Sequence, residues 1–396
     1  MKLKTNLTLL VLLCASMAVQ AQKVNVSKAV TSAEKQVDLL LKNTAVVEAA
    51  NPKLVAPRTV EGGKLKLVVG RDWTSGFFSG MLWYLYELTG DKKWLAPAKE
   101  YTLKLEDQQY NKGTHDLGFM VYDSFGNGYR LTNDTSYRSV IIQAAKSLST
   151  RFNAKAGVIR SWDHNADKWK FPVIIDNMMN LELLFEATKL TGDSSFYKIA
   201  VSHADHTIKN HFRDNYSSFH VVDYDPETGA VRWKGTAQGL NDASSWARGQ
   251  AWALYGYTVC YRETKNPVYL AQAENIAKYI LNEKSTPADK VPFWDYNDPK
   301  IPNAPKDASA AAITASGLYE LSVYSKKDGK NYKQTADLIL NSLSKSYTSK
   351  PGSTEGFILE HSTGHLPANS EIDVPIIYAD YYYLEALLRY KNYGKK

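Results

Sequence analysis

The chain has 396 residues, with 48 basic against 41 acidic side chains and a formal net charge of +7. So slight an excess, without a basic cluster interleaved with aromatics, excludes an obvious nucleic-acid reader, and two cysteines exclude a disulfide framework. Nine tryptophans and 26 tyrosines supply rings for a core and for the walls of a cleft, where flat apolar faces with polar edges suit sugars.

Residues 1–21 open on Met1-Lys2-Leu3-Lys4, pass through Leu9-Leu10-Val11-Leu12-Leu13 and end on Val19-Gln20-Ala21. A basic start, a short apolar run and small residues predict a secretory signal cleaved after Ala21 and no membrane insertion. An alternative is a lipoprotein anchored at Cys14, but the residue before it is bulky Leu13. Loss of Lys2 and Lys4 lowers the charge from +7 to +5. The expected product is exported to a periplasm, and 22–396 is expected to form a single helical domain, since no Pro-rich, Gly/Ser-rich or like-charge linker divides it. It leaves Cys260 alone, a small buried hydrophobe by expectation.

Helical hairpins follow in order. Gly80–Asp91, with apolar Leu82, Leu85 and Leu88 at helical spacing, leads into Trp94 and Ala98; Asn180–Asp193 leads into Tyr197; Gly249–Thr264 leads through Lys265-Asn266-Pro267 into Tyr269; Ala311–Ser325 leads into Tyr332. A weaker copy covers Tyr137–Phe152, and Tyr378–Tyr390 reads as a last helix. Alternation of the kind strands need is scarce. The uneven spacing of Thr89, Thr191 and Thr264 favours a closed ring of inner and outer helices over a regular solenoid.

Between the hairpins lie the chemical candidates. His115-Asp116-Leu117-Gly118-Phe119 offers a carboxylate between glycines, either a functional acid or an ordinary Asp turn. Asp176 stands behind the apolar run Phe171–Ile175 and before a helical pattern. Two readings stand for it: an N-cap, or a partly desolvated acid with a raised pKa suited to proton transfer. The two carboxylates could meet across a cleft. Farther on come His220, Thr236 and Gln238, then Arg248 and Trp252, four apart and expected to stack on one helix face, where an Arg fork over an indole suits a sugar carboxylate; a structural ion pair and a core indole are the alternatives. His203, His206 and His211 suggest no metal site, because no Asp, Glu or Cys completes a shell. Neither a Gly-x-Ser-x-Gly elbow nor a phosphate loop is present.

His115–Phe119, Ile175–Asn180, Ser245–Trp252 and Tyr378–Ala386, taken in order, resemble the unsaturated glucuronyl hydrolases, glycoside hydrolase family 88. The resemblance implies an (α/α)6 six-hairpin barrel that needs no metal or other cofactor. Its implied partner is an anionic oligosaccharide ending in a 4,5-unsaturated glucuronic acid, and the chain is expected to be a monomer or weak homo-oligomer. It implies that Asp176 protonates C4 and takes a proton from the water attacking C5, whereupon the hemiketal opens and expels the remaining sugar. Asp116 becomes the second carboxylate, helping to keep Asp176 protonated, and His115, Trp73, Trp162, His220, Thr236, Gln238, Arg248 and Trp252 become pocket residues. One departure is the loop His361–Pro367: members favouring sulfated disaccharides can carry Ser and Lys there, and this loop has no Lys, only Ser362, Thr363 and His365 as polar candidates. A related rhamnogalacturonyl hydrolase and a noncatalytic sugar-binding protein are the rival readings.

Overall fold

The hairpin turns show how local chemistry builds the ring. Thr89-Gly90-Asp91 and Thr191-Gly192-Asp193 are one device: each Thr hydroxyl donates to the carbonyl four residues back, each Gly adopts a left-handed conformation, and each Asp accepts from the backbone two residues on. Thr264-Lys265-Asn266 repeats it with Lys265 at φ 57° in the glycine position. Thr132-Asn133-Asp134 is a fourth copy. It joins a hairpin of which the helical spacing revealed only the outer helix, as the weaker copy at Tyr137–Phe152.

In the computed structural model, residues 24–393 are described; the predicted signal segment with Cys14 lies outside them. The helices are α1 (Val26–Ala50), α2 (Ser75–Thr89), α3 (Leu95–Leu103), α4 (Asn127–Thr132), α5 (Thr135–Ser149), α6 (Leu181–Thr191), α7 (Ser194–His211), α8 (Ala247–Thr264), α9 (Pro267–Asn282), α10 (Ala308–Tyr324), α11 (Gly329–Ser346) and α12 (Ile377–Tyr393). A π-helical segment, Gly118–Gly126, runs directly into α4.

Contacts close an inner ring: α2 on the π segment, that segment on α6, α6 on α8, α8 on α10, α10 on α12, and α12 back on α2. Outside it, α3 packs on α2, α5 on the π segment and α6, α7 on α6, α9 on α8, and α11 on α10. This is the (α/α)6 barrel, and burial follows from it. Every residue of α10 from Ala308 to Leu321 is buried, as a helix hemmed in on all sides requires. In α11 the buried set is Tyr332, Ala336, Ile339, Leu340 and Leu343, the single stripe of a helix with one side in solvent.

Short sheets are more prominent than the scarcity of alternation predicts. The apolar run Phe171–Ile175 contains a strand, Pro172–Ile174, paired with Val221–Tyr224, which pairs in turn with Val231–Gly235. Buried on both faces, such a strand shows a continuous apolar run rather than alternation. Cys260 is buried and free, as expected. The three histidines of α7 are spent within the fold: His203 accepts from the Ile159 N–H at 3.1 Å, while His206 and His211 engage the Ser202 and Val173 carbonyls.

Candidate active site

At one end of the barrel the N-terminal ends of the inner helices converge on a cavity of about 520 Å³. Trp73 precedes α2, Asp116 precedes the π segment, Asp176 precedes α6, and Arg248 stands in the first turn of α8. All four line the cavity, together with His115, Trp162, His220, Thr236 and Gln238. Unsatisfied N–H groups and aligned peptide dipoles at helix N-termini give this end a positive potential. An anionic ligand is favoured there.

Two chain segments bring the carboxylates together. The Phe119 N–H donates to Asn180 Oδ1 at 3.1 Å, and Gly118 lies so close to Asn180 that a Cβ on it would sit 2.6 Å from the Asn180 Cα. The glycine in His115–Phe119 and the asparagine in Ile175–Asn180 are thus one packing unit. Asp116 is held at both oxygens, by His115 Nε2 at 3.0 Å and by the Thr114 hydroxyl. His115 Nδ1 lies 3.3 Å from Ser161 Oγ, which accepts from the Ile174 N–H. An ionised carboxylate only accepts, so the Nε2 proton of His115 faces Asp116, and a ring carrying that single proton accepts at Nδ1 from the Ser161 hydroxyl.

The three-stranded sheet positions the second carboxylate. Ile174 pairs with Val221, and the Ile175 N–H donates to the His220 carbonyl at 3.0 Å, so Asp176 and His220 emerge side by side. His220 Nε2 is 3.5 Å from Asp176 Oδ1, the separation of an ion-pair contact rather than a well-formed hydrogen bond. Asp176 is buried, and that Oδ1 has no hydrogen-bond partner within the protein.

Three expectations are corrected here. Asp176 is no helix cap: it lies inside the 3-10 helix Ile175–Asn180, whose first turn has no side-chain cap. Its pKa is not raised. Burial pushes the carboxyl up, but the proton and positive potential of His220, with His115 and Arg248 behind it, outweigh burial and hold it below the usual range. Arg248 does not stack on Trp252; its guanidinium lies over Trp246 at 4.5 Å and Tyr378 at 5.3 Å. Its terminal nitrogens bond Asp307 and the Thr363 and Gly364 carbonyls, leaving only Nε without a partner. Trp252 is fully buried against Phe119 and Tyr382, outside the cavity lining. A helix four-residue spacing gives a shared face but not which way that face turns.

Trp73 packs on Tyr378 with ring centroids 5.0 Å apart. Trp162 stacks on His164 and meets Trp169 edge-on, beginning an aromatic wall that Trp233 continues. Ser161, His164, Asn165, Lys168, Trp169 and His365 also line the cavity. Of these only His365 was a sequence candidate. Ring density between Trp162 and Trp169 was a usable signal for the others.

Comparison with known proteins now decides the family. The model of Glycosyl Hydrolase Family 88 matches residues 46–396. The chain belongs to family 88. Among family 88 proteins, an unsaturated glucuronyl hydrolase of Formosa agariphila is 54% identical over 327 residues, covering 82% of this chain and 81% of the relative. An unsaturated chondroitin disaccharide hydrolase of Streptococcus agalactiae is 35% identical, covering 82% of this chain and 83% of its own length. A crystal structure of an unsaturated glucuronyl hydrolase specific for heparin superposes with a TM-score of 0.88 at 48% identity, covering 93% of this chain and 98% of that one.

Proposed function

We propose that this family 88 glycoside hydrolase releases the nonreducing-end 4,5-unsaturated glucuronic acid from oligosaccharides left by polysaccharide lyases, glycosaminoglycan disaccharides in particular. The carrying observation is the meeting of Asp116 and Asp176 in one cavity at the positive end of the inner helices. The names borne by the relatives support the same substrate class.

In this chemistry Asp176 delivers a proton to C4 of the enol ether, and positive charge develops at C5 and the ring oxygen. Water adds at C5 and returns its proton to Asp176. The hemiketal then opens by breaking the bond between C5 and the ring oxygen, leaving a ketone at C5 and a hemiacetal at C1, and the hemiacetal collapses to an aldehyde as the remaining sugar departs with the proton. Because the Asp176 carboxyl is held below its usual range in the free cavity, uptake of a proton from solvent must accompany substrate binding. An anionic sugar carboxylate lodged beside Asp176 adds like charge and moves its pKa upward. His115 and Thr114 hold Asp116 with its carboxylate ready to accept sugar hydroxyls, and Trp73 and Trp162 supply faces for the ring. Export directed by the segment Met1–Ala21, with its basic start, short apolar run and small residues, belongs to the same proposal.

The ultraviolet absorbance of the C=C bond tests this reading with a panel of unsaturated glycosaminoglycan disaccharides. Absorbance falls with the wild-type protein on at least one member. A steady signal across the panel refutes the assignment.

A further inference from the structure

His220 is hydrogen-bonded at Nδ1 and faces a carboxylate at Nε2, so its two ring nitrogens meet chemically different neighbours. Nε2 faces Asp176 Oδ1 at 3.5 Å. Nδ1 lies 3.0 Å from the backbone nitrogen of Ala237 and 3.1 Å from that of Gln238. Backbone N–H groups only donate, so Nδ1 presents its lone pair to both and the ring proton resides on Nε2. A proton on Nδ1 would confront two N–H donors and deprive both amides of their acceptor.

We infer that the consecutive amides of Ala237 and Gln238 fix the tautomer of His220, making it a positioning residue that keeps an N–H aimed at Asp176 and carries no proton through the reaction. The structural part stands on the amide geometry; its catalytic consequence rests on the role proposed above for Asp176.

The turn bearing the two amides is tied down from several sides. The Thr236 N–H donates to Asp242 Oδ1 at 3.0 Å, the Gly239 N–H to Thr236 Oγ1 at 2.7 Å, and the Leu240 N–H to Asp295 Oδ2 at 2.9 Å. Asp295 is fully buried and also accepts from Ser244 Oγ at 2.7 Å. From the opposite side His365 Nε2 meets the Ala237 carbonyl at 3.0 Å. The His220 ring itself rests on Trp246, centroids 4.6 Å apart. Around Asp176 the remaining titratable or charged neighbours are His115 and Arg248, with His211 behind the sheet. None of them offers an N–H to Oδ1 within hydrogen-bond distance, and His220 Nε2, at 3.5 Å, is the donor-bearing group that faces it.

Long-range 1H–15N correlation on histidine-labelled full-length protein reads the tautomer directly, with His220→Gln assigning the signal. The expected pattern for the neutral ring is a protonated Nε2 and a pyridine-type Nδ1. Asp242→Ala, at an exposed position of the turn, should blur that pattern toward a mixture of tautomers. A protonated Nδ1 in the wild type overturns the inference. Kinetics provide a second readout: Gln places an amide N–H near the position of Nε2, so the kcat of His220→Gln should exceed that of His220→Ala by about tenfold or more, with KM similar and every limb of the kcat/KM pH profile retained, the limb set by Asp176 moving toward higher pH because His220 helps hold that pKa down. Loss of a limb of that pH profile in His220→Gln shows that His220 transfers protons and contradicts the positioning role. Should no unsaturated substrate be turned over at all, the proposed function fails while the NMR result still decides the tautomer.

Discussion

At the scale of single residues the site turns on how Asp176 obtains its proton. Asn keeps the shape of that side chain but cannot cycle a proton, so Asp176→Asn should lower kcat by about 10²–10⁴-fold with the fold intact by circular dichroism. The direction of its pKa sets the pH behaviour. A carboxyl held below its usual range is ionised in the free enzyme at neutral pH, and kcat/KM reports the free enzyme. The fraction of enzyme carrying the required proton therefore shrinks as pH rises, and kcat/KM should climb as the solution is made weakly acidic. A kcat/KM that rises steadily toward alkaline pH would contradict this assignment.

At the scale of elements, two glycines separate conformational need from spatial need. Gly192 has φ 76° and open space around its Cα; Gly192→Ala should cost about 1–2 kcal/mol in urea unfolding, the penalty of a left-handed L-residue, and leave kcat/KM unchanged. Gly118 has an ordinary backbone, but a Cβ there would press on Asn180. Gly118→Ala forces apart the segments carrying Asp116 and Asp176, so it should cost about 1–3 kcal/mol and also reduce kcat. Equal activity loss in the two variants would remove the distinction. These elements also show what was legible in advance. Hairpins with Thr-Gly-Asp turns and a strong apolar period could be read, because turn and helix are both local. Of the fourth hairpin only the outer helix showed, as the weaker copy at Tyr137–Phe152, since Asn133 replaces Gly and the inner partner is partly π-helical, breaking the expected period. The strand at Pro172–Ile174 was hidden because a run buried on both faces carries no alternation. Side-chain direction was least legible: Trp252 shares a helix with Arg248, yet only the tertiary packing of α8 decides that one lines the cavity and the other fills the core.

At the scale of the whole molecule the two ends of the ring are electrostatic opposites. Helix N-termini meet at the cavity with Asp176, whereas the C-terminal ends of the inner helices surround a second polar cavity braced by ion pairs. There Glu320 accepts from Arg262 at 3.1 Å and Arg389 at 3.0 Å, joining α8, α10 and α12. Removing the shared carboxylate leaves Arg262 with Glu182 and Glu263 and Arg389 with Glu385, so Glu320→Ala should lower stability by about 1–3 kcal/mol while leaving KM near the wild-type value. Burial tends to raise the Glu320 pKa, but Arg262 and Arg389 prevail and depress it. The ionised form is thus the one the fold favours: its stabilisation is complete above the ordinary glutamate pKa and is lost as pH falls through the depressed folded value. A wild-type protein that loses stability on acidification no faster than Glu320→Gln would contradict this pairing.

Hydration across C4=C5, with Asp176 as the proton donor, is distinguished from direct cleavage at the anomeric carbon by running the reaction in heavy water and sampling the released sugar before its ketone exchanges. The expected product has lost the double bond and carries one deuterium at C4, placed on a single face. A released sugar that keeps its double bond and has only protium at C4 would show that the glycosidic bond breaks without protonation of the enol ether.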